Sequence, residues 1–400
     1  MRIRNIKNNE ERALAARWAT EGSSPQAVEQ AVRFWTKVVP YEPGYEPERQ
    51  RVVEVEGRMV SHLRVVAREM QVGLATLRMG GIGTLVTAPE HRGQGYGQAL
   101  MKDTLAYLTA QGFDLSCLDS TFDFYQRFGY AAVMPRRQVR FEVKETLALD
   151  PLLAVRPLSA QEVPVLERLY ERCWRGRVGA LVRDGATWQW QLRNARDVVV
   201  AIDDGDQVRG YAVYGDQADQ VWEAGAADTD AVAALLSHLA RRAQQAGLDN
   251  FYVNLPADFA FVRLARALCS LEILEHVRPS AGWQARLLNV ASVFAKLEPE
   301  FSVRLARSTQ ASWRGSLRLE SEIGGVTLQV DRTGVRVDNR FQTQVVCYLP
   351  QTRLVQLLFG YLTVAEAAAA PGSQVPYKAL PILAALFPPV VAYIAGLDWF

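Results

Sequence analysis

The sequence predicts an α/β protein made of two similar units and a smaller α+β unit. Three observations support this fold class. A strand runs through a glycine-rich turn into a helix in the first third, the middle third repeats that order of elements, and the last third groups several strands before its helices. The predicted domains are residues 1–145, 146–285 and 286–400.

Composition places the chain among ordinary globular proteins of two or three domains. Of its 400 residues, 49% are hydrophobic and 22% charged, and 45 basic against 43 acidic side chains give a net charge of +2. This small charge argues against a nucleic-acid-binding surface. The four cysteines form no C-x-x-C motif and the start is too polar for a secretory signal, so we expect reduced thiols and a cytoplasmic protein.

The first 80 residues predict two helices followed by an antiparallel meander. Helical periodicity covers Glu11 to Ala19 and Ala27 to Val38, and the second helix opens on Ser24 as a cap with Pro25 at its first position. After a proline-rich loop, the predicted strands are Val52 to Val55, Met59 to Met70 and Gly73 to Met79.

The stretch from Gly81 to Gln98 carries the clearest functional signal. A strand from Ile82 to Thr87 precedes the turn Arg92-Gly93-Gln94-Gly95-Tyr96-Gly97, which reads R-x-x-G-x-G, and a helix begins near Tyr96. Glycines let the backbone approach a ligand, and the helix N-terminus directs N–H groups at it, so the turn predicts a site for an anion such as a pyrophosphate. Neither the P-loop nor the G-x-G-x-x-G dinucleotide fingerprint matches.

The rest of the first domain alternates strands and helices. A strand from Phe113 to Leu118 precedes a short helix from Phe122 to Phe128 that ends at Gly129, and Arg137 to Val143 is predicted to be the last strand. Tyr125 lies in the short helix, within the string Y-x-x-F-G-Y.

The middle third repeats this order in a weaker form. A helix from Asp230 to Ala246 follows two strands and precedes a third strand, Phe251 to Leu255. At the position of the glycine-rich turn, Ala224 to Thr229 lacks the arginine and two of the glycines. We expect a degenerate copy that binds no cofactor, although convergence between α/β folds would also produce such a pattern.

The glycine-rich stretch resembles motif A of the GCN5-related N-acetyltransferases, and the string around Tyr125 resembles motif B of that family. The resemblance implies that acetyl-CoA is the co-substrate. The four histidines have no metal-ligand spacing, so we expect no metal. It assigns the pantetheine arm to Leu85, Val86 and Thr87. It assigns the phosphates to the amides of Arg92, Gly93, Gln94, Gly95, Tyr96, Gly97 and Gln98, with further contacts from Ser120 and Thr121.

Over essentially its whole length the chain resembles the Eis (enhanced intracellular survival) acetyltransferases. These carry an acetyltransferase domain, a degenerate second copy and a sterol-carrier-protein-like domain, which the strand group and the helix from Gln351 to Gly360 resemble. The resemblance implies a homohexamer that acetylates small amines, aminoglycosides among them, by direct attack in a ternary complex. From the small net charge and the prolines near the end of the chain, we expect no nucleic-acid or membrane partner.

The proton acceptor cannot come from the strand before the turn, because no Asp, Glu or His lies between Glu69 and Glu90. In the resembled family the α-carboxylate of the last residue accepts the proton, which here is Phe400, and the tyrosine matching Tyr125 donates one. Both residues could instead pack in the core. An α-carboxylate has a pKa near ~3.5 and an amine a pKa near ~10.4, so moving a proton from the ammonium ion to the carboxylate costs about 9 kcal/mol. We therefore expect acceptors with lowered amine pKa values, or loss of the proton after attack.

Several features remain open at this stage. Trp35 either faces the acceptor or packs in the core, and Asp398 either attracts cationic amines or is an exposed surface charge. The uncharged segment from Ala379 to Leu397 is interrupted by prolines, which favours a buried tail over a membrane anchor. Other functions compatible with the motifs are a protein-lysine or peptide N-acetyltransferase, or a lipid-binding scaffold that senses acetyl-CoA.

Overall fold

The computed structural model describes residues 1–120, 123–194, 197–215, 217–277, 282–340 and 342–400. By its internal contacts the chain divides into two compact units. The first unit contains Met1–Val133, Pro279–Val390 and Phe400, and the second contains Met134–Arg278 and Val391–Trp399. The predicted boundaries at residues 145 and 285 therefore differ from the points at which the chain changes unit.

The first 134 residues begin with two capped helices and continue into a meander. The strands are β1 (Arg2–Asn5), β2 (Gln50–Val55), β3 (Arg58–Val72), β4 (Ala75–Thr87), β5 (Leu115–Ser120) and β6 (Ala131–Met134). The helices are α1 (Asn9–Ala19), α2 (Pro25–Lys37) and α3 (Tyr96–Ala110). The predicted cap of α2 is confirmed, since the Ser24 hydroxyl accepts the Ala27 N–H at 3.3 Å and Pro25 follows.

The central part of the chain contributes the elements of the second unit. Its strands are β7 (Arg136–Glu142), β8 (Ala154–Pro157), β9 (Val198–Ile202), β10 (Val208–Tyr214), β11 (Gln220–Ala226), β12 (Asn250–Val253) and β13 (Glu272–His276). Its helices are α4 (Val143–Leu147), α5 (Val163–Trp174), α6 (Gly185–Asn194), α7 (Thr229–Gln245) and α8 (Ala260–Ala265).

The last third returns to the first unit. Its strands are β14 (Gly282–Leu287), β15 (Gly315–Ser321), β16 (Gly324–Asp331), β17 (Gly334–Val337) and β18 (Val346–Tyr348). Its helices are α9 (Val290–Lys296), α10 (Glu298–Ala306), α11 (Gln351–Leu358), α12 (Val364–Ala369) and α13 (Leu380–Leu386).

Seven of the described strands form the main sheet of the first unit, in the order β1-β2-β3-β4-β5-β14-β6. The strands β3 and β4 form a long antiparallel pair, and β4 runs parallel to β5 with α3 as the crossover. Helix α3 buries Leu100, Met101, Leu105 and Leu108, a spacing that places them on one helical face against the sheet. This packing fixes the start of α3 at the end of β4.

The prediction that β7 belongs to the first domain is wrong. The segment Arg137 to Val143 was predicted to be the last strand of the first domain, but β7 lies between β12 and β13 in the second sheet. In the first sheet β14, which was not predicted to be a strand, pairs with β5 instead. Both strands alternate apolar and polar residues, and that local pattern does not specify which sheet receives them.

The second unit contains a seven-stranded sheet in the order β13-β7-β12-β11-β10-β9-β8. As in the first unit, a helix connects two parallel strands: α7 lies between β11 and β12. Helix α7 buries one apolar face from Ala231 to Ala243, and this face packs on the core of the unit. The sequence-predicted repeat of strand and helix order is thus present in the fold.

A buried carboxylate ties the last third to the first sheet. Asp114, just before β5, has no solvent exposure and accepts hydrogen bonds from the Arg78 N–H at 2.7 Å, the Ser292 hydroxyl at 2.6 Å and the Lys296 ammonium at 2.6 Å. Ser292 and Lys296 both belong to α9. The side chain of Gln351 at the start of α11 accepts the N–H of Leu287 on β14 at 3.1 Å. These hydrogen bonds satisfy a buried carboxylate and hold α9 to the first sheet, in agreement with the assignment of the last third as far as Val390 to the first unit.

The proline-interrupted tail is buried, as the sequence predicted. The side chains from Ala392 to Ala395 are at most 6% exposed. Among the residues that the structure describes, no helix has the length and apolar character needed to cross a bilayer.

Replacing Asp114 with Ala should destabilise the first unit. The change removes three hydrogen bonds, one of them to the Lys296 ammonium, and leaves partly buried donors without this partner, so we expect the free energy of unfolding to fall by about 3 kcal/mol. Urea denaturation followed by tryptophan fluorescence measures the loss. Glu48→Ala, which removes an exposed carboxylate from the same unit, is the control; equal midpoints for the two variants would contradict the assignment.

Candidate active site

The turn between β4 and α3 ends at a helix N-terminus that has no side-chain cap. Gly93 and Gly95 have φ values of 76° and 83°, in the left-handed region that favours glycine. Gly95 is the N-cap of α3 and supplies no side-chain cap, so the first-turn N–H groups have no such partner. Together with the positive end of the helix dipole, this geometry favours an anion. The structure therefore brings the segment 92–98 to one helix N-terminus.

A cavity of about 320 Å³ lies over this turn and is bounded by the segment 87–98, Phe124 and Arg127. Arg92 donates from Nε to the Thr87 carbonyl oxygen at 3.2 Å and pairs with the Glu21 carboxylate. Arg127 stacks over the Phe124 ring at 5.2 Å and provides a second cation on the cavity wall. Sequence reasoning missed Arg127, although it lies within the same Y-x-x-F-G-Y string as Tyr125.

Strand β4 diverges from β5 beside this cavity. The two strands pair at Met79 to Gly81 of β4, whereas β4 continues to pair with β3 as far as Thr87. Among the described residues, no strand pairs with the edge of β4 that faces β5 over Leu85, Val86 and Thr87. An extended ligand could pair with such an edge as an additional strand would.

Ser120 is the last residue of β5 and is 9% exposed. It lies at the carboxyl end of a strand parallel to β4, and ligands of open α/β sheets commonly bind at such ends. Thr121, the other residue predicted at this position, lies outside the described residues.

The C-terminal residue lies against β4 at two glycines. A Cβ atom at Gly81 would lie 2.3 Å from a ring carbon of Phe400, and a Cβ atom at Gly83 would lie 3.5 Å from its carboxyl carbon. Gly81 and Gly83 are two residues apart on one strand, and the Cβ positions of both lie next to Phe400. The Phe400 ring also packs edge-on against Trp283, with 5.2 Å between ring centroids. The α-carboxyl group thus reaches the strand on which the sequence places no acid.

Positive charge lies beside the same point. A terminal nitrogen of Arg64, Nη1, would lie 3.7 Å from a Cβ atom at Gly83. The other terminal nitrogen donates to the carboxylate of Glu42, which also accepts a hydrogen bond from Arg68. Arg64 and Glu42 are both less than 9% exposed. Sequence reasoning missed this cluster, because Glu42 lies in a proline-rich loop and Arg64 in a strand, and their spacing indicates no site.

Tyr125 precedes a 3-10 turn, Gln126–Phe128, which is shorter than the predicted helix. Its ring packs edge-on against Phe124 and Tyr130, at centroid distances of 5.2 and 6.0 Å. Burial raises the pKa of Tyr125 to about 12. Its hydroxyl is therefore protonated at neutral pH and is available as a hydrogen-bond donor.

Trp35 packs on a small apolar cluster that also includes Val86 of β4. Its ring lies 5.2 Å from the ring of His62, which is fully buried and hydrogen-bonded to Gln50 at 3.3 Å. Burial, with smaller contributions from Arg64 and Arg12, lowers the pKa of His62 to about 3. A histidine with this pKa is a poor proton acceptor at neutral pH. Trp35 therefore packs against the core beside β4, and its contact with an acceptor stays a prediction.

The corresponding turn of the second unit is built differently. Asp228 is the N-cap of α7, and its carboxylate accepts the Ala231 N–H at 2.9 Å and pairs with Arg209. A carboxylate therefore occupies the helix N-terminus that glycine leaves open in the first unit, and it would repel a phosphate.

Two family models match the chain over these two turns and the elements around them. Residues 2–133 match a model described as an acetyltransferase (GNAT) domain, and residues 179–259 match a second model with the same description. The chain belongs to the GCN5-related N-acetyltransferases. This acetyltransferase is therefore an acyltransferase enzyme, and the prediction of two tandem domains of the family is confirmed.

Solved structures share the fold of this acetyltransferase over its full length. A GCN5-related N-acetyltransferase from Kribbella flavida is 19% identical with a TM-score of 0.75, covering 100% of this chain and 98% of its own. One from Anabaena variabilis is 19% identical with a TM-score of 0.74 and covers 100% of both chains. Eis1 from Mycobacterium abscessus is 18% identical with a TM-score of 0.65 and covers 99% of both chains. The predicted Eis-like character is thus confirmed at the level of the fold. A sequence search of curated proteins returns no match.

The contact between Gly81 and Phe400 can be tested by a double-mutant cycle. Gly81→Ala places a methyl group within the Phe400 ring, and we expect this overpacking to cost about 1–3 kcal/mol of unfolding free energy. Combining it with Phe400→Ala, which removes the ring, should recover most of that cost. Thermal midpoints of the four proteins give the coupling. Additive effects would mean that the ring lies elsewhere.

Proposed function

We propose that this acetyltransferase transfers the acetyl group of acetyl-CoA to an amine of a small polyamine or aminoglycoside-like acceptor, and that the α-carboxylate of Phe400 accepts the amine proton. One observation carries the proposal. The carboxyl carbon of Phe400 lies 3.5 Å from the Cβ position of Gly83, on a strand that has no acid of its own. A carboxylate at this point also attracts a cationic acceptor.

The proposed binding site for acetyl-CoA consists of the turn before α3 and the part of β4 that diverges from β5. The N–H groups at the start of α3 would bind the pyrophosphate, with Arg92 and Arg127 as cations on the cavity wall. The open edge of β4 from Leu85 to Thr87 would hold the pantetheine arm by backbone hydrogen bonds. Acetyl-CoA supplies the thioester, and these residues of the protein bind and orient it.

The neutral amine attacks the carbonyl carbon of the thioester, the new C–N bond forms, the C–S bond breaks and CoA leaves as a thiolate. Phe400 accepts the proton of the amine nitrogen, which becomes more acidic once that nitrogen has formed its new bond. Positive charge from Arg64 lies beside that carboxylate, so a late transfer fits this site better than deprotonation of a free ammonium ion.

Tyr125 acts by a hydrogen bond to the departing sulfur. Tyr125 has a pKa of about 12 and a thiol has a pKa near ~8.5, so complete proton transfer from the tyrosine to the thiolate would cost about 5 kcal/mol. A donated hydrogen bond stabilises the thiolate without that cost.

The second domain is proposed to bind no acetyl-CoA, because Asp228 occupies the N-terminus of α7. The last third adds a four-stranded sheet, β17-β16-β15-β18, to the first unit. Its likeness to sterol-carrier proteins and the assembly of the chain into a hexamer stay predictions.

Moving the C-terminal carboxylate tests the proposed proton acceptor. A Gly-Ser extension after Phe400 should lower kcat by about 100-fold or more and leave the KM for acetyl-CoA within about threefold. Thiol release from acetyl-CoA with a panel of polyamines, aminoglycosides and lysine peptides measures both values. Phe400→Leu keeps the α-carboxylate and is the control, which should retain most of the activity.

Equal turnover by the extended and the native chain would overturn the role of Phe400. Turnover of lysine peptides in preference to all small amines would overturn the proposed acceptor class.

Tyr125→Phe should lower kcat by about 100-fold with little change in the KM for acetyl-CoA, because the lost hydrogen bond stabilises charge that develops during the reaction. A tyrosine with a pKa of about 12 stays protonated below pH 10. The pH–rate profiles of the variant and the native enzyme should therefore run parallel up to pH 10. Tyr377→Phe, at an exposed position in the same unit, is the control. Full activity of Tyr125→Phe would exclude the role.

A further inference from the structure

The C-terminal segment Val391–Trp399 is held inside the second unit by several backbone contacts. The Tyr393 N–H donates to the Val178 carbonyl oxygen at 2.9 Å, and Arg177 donates to the Val391 carbonyl oxygen at 2.9 Å. A Cβ atom at Gly179 would lie 2.8 Å from the Tyr393 carbonyl oxygen, so only glycine permits this approach. The segment is therefore fitted closely to the unit.

The segment lies where β11 and β12 diverge. These parallel strands pair at Gln220 and Val221 of β11, and the next residue, Trp222, contacts the tail. A Cβ atom at Gly396 would lie 2.6 Å from the Trp222 carbonyl oxygen, and the Tyr393 hydroxyl donates to the carbonyl oxygen of Asn254, just after β12. In the first unit, the equivalent divergence is the proposed seat of the pantetheine arm. In the second unit, the chain itself occupies it.

A buried arginine recognises a carboxylate of the tail. Arg183, whose side chain has no solvent exposure, donates from Nε and Nη2 to the two carboxylate oxygens of Asp398, at 2.9 and 2.7 Å. Gln191 donates to Asp398 at 2.8 Å. Arg183 also forms two hydrogen bonds with Glu223, at 3.0 and 2.6 Å. Asp398 is thus neither the exposed charge nor the amine-attracting group considered from sequence; it is 4% exposed and fully engaged.

The surroundings of Arg183 are built for this pairing. The rings of Tyr170 and Trp188 face its guanidinium at 4.0 and 4.5 Å. Burial opposes its charge, but Asp398 and Glu223 outweigh that effect, and the pKa of Arg183 lies well above its usual value. Such a pair is rigid in geometry, since both oxygens of Asp398 accept and both facing nitrogens donate.

We propose that the second acetyltransferase-like domain is the docking site for the C-terminal segment of its own chain, and that Asp398 is the residue it recognises. Asp398 is then a positioning residue. Phe400 follows it by two residues, so anchoring Asp398 restricts the terminal carboxylate to a reach of about 7 Å. The effect on catalysis rests on the proposed role of Phe400, whereas the docking itself does not.

Asp398→Asn in the full-length chain tests the docking. Both oxygens of Asp398 accept hydrogen bonds from Arg183 or Gln191. In either orientation of the asparagine amide, its NH₂ group would therefore face another donor, and we expect the C-terminal segment to detach more often. We expect release of Phe400 and Trp399 by an aromatic-specific carboxypeptidase to accelerate on the order of 100-fold. Hydrogen exchange of residues 391–399 should accelerate in parallel. Asp204→Asn, the same change at an exposed position of this unit, is the control and should match the native protein.

Equal release and exchange in Asp398→Asn and the native protein would overturn the docking proposal. Accelerated release with a lowered kcat and an unchanged KM for acetyl-CoA would support docking together with its positioning role. Accelerated release with an unchanged kcat would support the docking site and overturn the catalytic role of Phe400, so the two proposals fail separately. Near-UV circular dichroism confirms that each variant is folded.

Discussion

The close approach of Phe400 to Gly81 and Gly83 is the contact on which the proposed chemistry depends. The absence of a side chain at Gly81 leaves room for the phenyl ring, and the carboxyl carbon lies at contact distance from the Cβ position of Gly83. The same strand diverges from β5 beyond Gly81, so in the proposed mechanism one strand contacts both the acetyl donor and the terminal residue. A side chain at Gly81 would overlap the Phe400 ring, whereas a Cβ atom at Gly83 would be in ordinary contact with the carboxyl carbon.

Buried arginines organise the charges of both units. In the first unit Arg64 and Arg68 share the carboxylate of Glu42, and Arg64 also faces the position next to the Phe400 carboxyl group. In the second unit Arg183 pairs with two carboxylates that have no solvent exposure. Buried ion pairs add little net stability when compared with apolar packing, but breaking one is costly. They therefore favour a single placement of the segments that they join.

The two acetyltransferase-type domains share a topology and differ in the residues at equivalent points. Each has a helix between parallel strands that diverge after a few pairs. Gly95 leaves the first helix N-terminus open, whereas Asp228 closes the second, and the tail fills the cleft beyond it. The difference lies in a few side chains at equivalent points, since function depends on the site more than on the fold.

The sequence by itself determined the features that depend on neighbouring residues. The glycine-rich turn, the cap of α2, the repeated order of elements and the family all follow from local patterns, because turn and cap chemistry is encoded within a few positions. Tertiary structure decided what joins distant positions. Four features join residues up to 215 positions apart in the sequence. They are the exchange of β7 and β14 between the sheets, the cation Arg127 on the cavity wall, the cluster around Arg64, and the pairing of Arg183 with Asp398. No local pattern records these contacts, since packing and the satisfaction of buried charge select them only when the whole chain is folded.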